Sequence, residues 1–67
     1  MLTRQGIQRA IETIEFSRKT HIDWADWLAK GNKEGSSYLD NEEFHREAIA
    51  GYGHVLAVLK EMLDQCS

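Results

Sequence analysis

Proline is absent from this chain, and cysteine occurs once, at Cys66. Without proline, no helix is forced to break at a fixed point. With one thiol there is no disulfide within the chain, and a lone cysteine fits a reducing, cytoplasmic setting. Long apolar runs are missing as well. The longest uncharged stretch is Ala48–Leu59, and it contains His54 and two glycines. A membrane span needs roughly 18 apolar residues. The N-terminal MLTRQGIQRA has no apolar stretch of the kind a signal peptide carries. Neither membrane insertion nor export is expected.

Positive charge is neither abundant nor clustered. Eight Lys and Arg stand against eleven Asp and Glu, for a net charge of −3. The basic residues are scattered from Arg4 to Lys60. With no basic stripe to follow a phosphate backbone, nucleic acid is not an expected partner.

What is present suits one folded domain over residues 1–67. Hydrophobic residues make up 42% and charged residues 28%, an ordinary globular balance. A chain this short buries only about 60% of its unfolded surface and is marginal alone. Small scaffolds escape by disulfides, metals, oligomerisation or very regular helix packing. Here disulfides within the chain are excluded, a bridge between subunits through Cys66 stays open, and self-association becomes the leading expectation.

The periodicity is helical in two blocks. Thr3 is a candidate N-cap, and Ile7, Ile11 and Ile14 repeat at spacings of four and three. Their row continues through Arg18, His21, Ala25 and Leu28. Gly31 follows as a left-handed C′ glycine. The spacing predicts a helix over about 4–30. The polar stretch Ser17–Thr20, with Thr20 and Asp23 as a second capping pair, allows a kink near 18–21. A loop follows over 31–40. Asp40 with Glu43 makes a capping-box pattern, and Leu39 with Phe44 a hydrophobic staple. The second helix is therefore expected to start at Asn41 and run to about 65. Its apolar residues, among them Ala48, Tyr52, Val55, Leu59 and Met62, cover an arc of roughly 140° at ~100° per residue. So broad a stripe can pack against more than one neighbour. The expected architecture is all-α: an antiparallel two-helix hairpin that associates into a helical bundle, a dimer or higher oligomer.

The segment HIDWADWLAKG carries Trp24 and Trp27, each preceded by an aspartate. At ~100° per residue, Trp24 lies roughly 90° from the isoleucine cluster and Trp27 nearly opposite it, close in direction to Phe16. Large aromatics left in water mark interaction sites. Phe16, Trp24, Trp27 and the loop residue Tyr38 are therefore the expected partner-binding residues, Trp and Tyr being enriched at binding hot spots. Self-association is expected to use part of this surface and a partner protein the rest.

Candidate chemistry is sparse. Glu42 and His45 have the Glu-x-x-His spacing of helical carboxylate metal sites, but the first helix offers only Asp23 and Asp26 nearby. Glu42 is equally a first-turn acid favoured by the helix dipole. Glu61 and Asp64 match the Glu-x-x-Asp spacing of all-helical nucleotide pyrophosphohydrolases, whereas Glu43 and Glu47 are four apart and do not. A solvated face explains both pairs. His21, His45 and His54 are not expected to cluster. His21 is read as a core-edge histidine with one hydrogen bond, and His54 as exposed. Gly51 and Gly53 flank Tyr52 in mid-helix, marking a close crossing, a mild bend or a gap for a ligand. No catalytic, metal or cofactor motif emerges, and an enzyme is not expected.

In general character — short, proline-free, helical, without a catalytic motif — the chain resembles the small helical accessory proteins of phages and prophages. That resemblance implies an inhibitor or modulator of a host or defence protein. The alternative expectation is an oligomeric sponge for a small anionic ligand such as a nucleotide, held by Arg18, Trp24, Lys30 and Tyr52.

Overall fold

The computed structural model describes residues 2–66. Among them are two helices and no strand: α1 (Arg4–Ala29) and α2 (Glu42–Gln65), packed against each other as a hairpin. The hairpin is a rod of 47 × 16 × 15 Å. Its Cα radius of gyration, 14.7 Å, exceeds the roughly 11 Å expected of a compact domain this long.

Helix α1 starts where its cap was expected. The Thr3 hydroxyl accepts the Gly6 amide at 3.0 Å, satisfying one of the orphan donors of the first turn. The helix is continuous through residues 18–21, so no kink forms there. Thr20 does not cap. Its hydroxyl donates back to the Phe16 carbonyl at 3.1 Å, and Asp23 pairs with Lys19 instead. Gly31, at φ 90°, ends the helix in the left-handed region, and its amide donates to the Leu28 carbonyl at 2.9 Å.

The start of α2 differs from the expected one by a single residue. Asp40 is not the cap. Its two carboxylate oxygens turn back into the loop and accept the Glu34 amide at 2.8 Å and the Gly35 amide at 2.9 Å. These loop contacts hold the Asp40 carboxyl below its ordinary value. Asn41 caps in its place, accepting from the Phe44 amide at 3.1 Å. With the helix beginning at Glu42, Glu43 no longer occupies the capping-box position. The ring that meets Phe44 belongs to Tyr38, with centroids 4.5 Å apart.

The packed interior has two halves. Toward the termini, Ile7, Ile11 and Leu56 are buried, and Ile14, Leu59, Met62, Leu63 and Cys66 pack around them partly exposed. Toward the loop, the interior is made of aromatic rings and histidines. Between the halves, the Arg18 guanidinium donates to the Ile49 carbonyl at 3.2 Å. Arg18 lies over Gly53, where an added Cβ would sit 3.5 Å from its Nε. The space left by Gly53 is thus occupied by this chain's own arginine, while Gly51 faces open space. No helix among the described residues is long and apolar enough to cross a membrane.

Candidate functional site: an aromatic and histidine cluster at the loop end

His45 is the one fully buried large side chain among the described residues, at 0% exposure. It sits in the first turn of α2 and reaches back to the Leu39 carbonyl, Nε2 to oxygen 2.7 Å. A carbonyl only accepts, so Nε2 carries the proton. In the neutral ring, Nδ1 is then left as an acceptor. It faces Nδ1 of His21 on α1 at 2.7 Å. His21 must therefore donate from Nδ1. Every buried polar side-chain atom among the described residues has a partner. Burial first, and then the neighbouring His45 ring, hold the His21 pKa below its ordinary value.

Aromatic rings enclose this pair. Trp24 stacks on His45 with centroids 5.6 Å apart and planes 5° from parallel. Phe44 meets His21 edge-on at 5.7 Å, and Tyr52 lies beside it at 5.8 Å. Trp27 stands perpendicular to Trp24 at 5.5 Å. The expectation that the histidines stay apart is overturned: His21 and His45 are bonded, and only His54 stands away, exposed on α2. The single hydrogen bond expected of His21 is present; its partner was not foreseen. An antiparallel hairpin brings His21 and His45 to the same end of the molecule, but their bond depends on the register of one helix against the other.

The expected binding residues separate into two sets. Trp24 is half-buried on His45. Trp27 remains 37% exposed, Tyr38 62% and Phe16 73%. Trp24 and Trp27 line an open depression with Thr20, Asp23 and Glu34. Its lining carries two carboxylates and no basic group. Among the residues named for an anionic ligand, Arg18 is bonded to the Ile49 carbonyl, Lys30 pairs with Asp26 at 3.1 Å, and Tyr52 lies against His21.

The Glu42–His45 spacing does not make a metal pair. The Glu42 carboxylate accepts Arg46 at 2.6 Å, and both His45 nitrogens are engaged within the chain. Among the described residues, no group of three or more His, Cys, Asp and Glu is placed to hold a metal ion.

Compared with protein-family models, curated proteins and solved structures, the chain matches none.

Proposed function

We propose that this chain is a non-enzymatic, self-associating helical hairpin that acts by binding another protein at its loop end. The observation that carries this reading is the exposure of Trp27 and Tyr38, each in contact with a ring of the packed cluster. Rings held in place by neighbours lose little freedom on binding, and such anchors dominate interface energies. Phe16, also exposed, extends the surface along α1. The carboxylate of Glu34 beside the two indoles favours a partner that presents Arg or Lys, which both charge and ring faces attract, Asp23 being already paired with Lys19. Inhibition or modulation of a host protein is one form such binding takes.

The test compares proteins captured from extract by the wild-type chain and by a Trp27→Ala, Tyr38→Ala variant. A parallel melting experiment uses a panel of nucleotides. The reading expects a captured protein that the variant loses, and no nucleotide that raises the melting temperature. Stabilisation by a nucleotide, with equal capture by both chains, would contradict it.

A further inference from the structure

One side of the hairpin is tied by polar links and the other is bare of charge. On the tied side, Lys60 pairs with Glu15 at 3.7 Å, and Arg18 meets the Ile49 carbonyl. On the bare side, α2 presents Phe44, Ala48, Gly51, Val55, Val58 and Met62, spaced alternately by four and three residues. That alternation is the heptad seam by which helices pack side by side. The row lies roughly 110° around α2 from Leu56 and His45, which face α1. Beside it on α1 runs a row of smaller residues, Gly6, Ala10, Thr13, Ser17 and Thr20, ending at Trp24. Neither row contains a charged residue, in a chain that is 28% charged. Val55 and Val58 are left 40% and 45% exposed.

The hairpin exposes more surface than a compact chain of its mass. A 7.7 kDa folded monomer is expected to expose about 4,300 Å². This hairpin exposes 5081 Å². The excess, roughly 700 to 800 Å², matches what one partner contributes to a standard stable interface, about 800 Å². The rod shape agrees, since two rods of 16 × 15 Å cross-section laid side by side form a four-helix bundle.

The geometry points to a second copy of this chain as the occupant of the charge-free face, seated along the Phe44–Met62 row of α2. This assignment rests on the self-association proposed above and specifies where it occurs. It moves the contact between copies off the outward side of α1, leaving Trp27, Tyr38 and Phe16 for a different protein. Phe44, Val55, Val58 and Met62 are the larger residues of the face, and Ala48, Gly51, Gly6, Ala10, Thr13 and Ser17 the smaller ones between and beside them. A two-fold related copy can set the larger against the smaller, because the same surface meets itself.

The experiment measures molar mass over a range of concentrations for the wild-type chain, Val55→Glu and Phe16→Glu. The wild-type chain and Phe16→Glu are expected at twice the chain mass or a higher multiple, and Val55→Glu at the chain mass. A second measurement avoids disrupting the assembly. In a Cys66→Ser background, Val55→Cys and Phe16→Cys are treated with a thiol reagent. The Val55→Cys thiol is expected to react at least ~10-fold more slowly, because partner burial limits access to the thiolate. Multimers that persist in Val55→Glu and are lost in Phe16→Glu, or equal thiol rates, overturn the assigned face while leaving self-association standing. A wild-type chain that stays at single-chain mass overturns both.

Discussion

His21 donates its Nδ1 proton to Nδ1 of His45 across 2.7 Å, and His45 donates its own proton to the Leu39 carbonyl. This chain of donors runs one way and is complete only while the pair is not doubly protonated. One added proton can rest on the outer nitrogen of His21 without breaking the bridge. Two would set N–H against N–H. What resists uptake of a proton at His21 is its burial first, and then the His45 ring beside it.

Stability should therefore depend on pH in a defined direction. The folded pKa of His21 lies below its ordinary value of 6.5, so the unfolded state binds more protons in that region. The contribution is fully present above pH 6.5 and is lost as pH falls from there through the folded value. Urea midpoints measured from about pH 8 to about pH 5 should decline across this window. His21→Gln keeps a donor toward His45 and should flatten the slope. An unchanged slope in that variant would show that other groups are responsible.

Replacing His45 by Phe should destabilise the hairpin although the ring volume is nearly kept. The Leu39 carbonyl and His21 Nδ1 both lose their partner, and a buried polar group left unpaired costs about 1–3 kcal/mol. Chemical denaturation of His45→Phe, beside the wild-type chain, checks the value. A neutral result would mean that water reaches the site.

Gly53→Ala should stabilise α2. The added methyl meets Arg18 at ordinary van der Waals distance, 3.5 Å, so the helix gains up to about 1 kcal/mol of propensity without a clash. Gly53→Leu should do the opposite, by displacing Arg18 from the Ile49 carbonyl. Thermal melts of the two variants should shift in opposite directions. Equal shifts would show that the guanidinium does not depend on the glycine gap.

Asp40→Ala should loosen the loop while leaving α2 capped by Asn41. The Glu34 and Gly35 amides lose their acceptor and should exchange with solvent faster, while the Phe44 amide should not. The Asp40 carboxyl is held below its ordinary 3.8. Its contribution is therefore present above that value and lost as pH falls through the lower folded one. Faster exchange at Phe44 would mean that Asp40 and Asn41 cap jointly.

The helices were legible because their signals are local. Three isoleucines on one row, the Thr3 cap and Gly31 each act within a turn or two of their own position. The start of α2 was misplaced by one residue because two adjacent capping side chains compete, and the outcome depends on where the loop amides of Glu34 and Gly35 lie. The site was legible in composition but not in arrangement. Trp27 and Tyr38 stand exposed as their helix direction and loop position suggest. Trp24, however, turns onto His45, and the His21–His45 bond crosses 24 residues. No single-helix periodicity contains that pairing; it needs the register of one helix against the other.

Among the described residues the core holds three buried apolar side chains, Ile7, Ile11 and Leu56, and the self-association proposed here would add to that burial. The molar mass of the wild-type chain, followed with its melting temperature across at least a hundredfold range of concentration, tests this most directly. The account predicts a multiple of 7.7 kDa and a melting temperature that rises with concentration. A fully helical species at 7.7 kDa, melting at one temperature throughout, would contradict it.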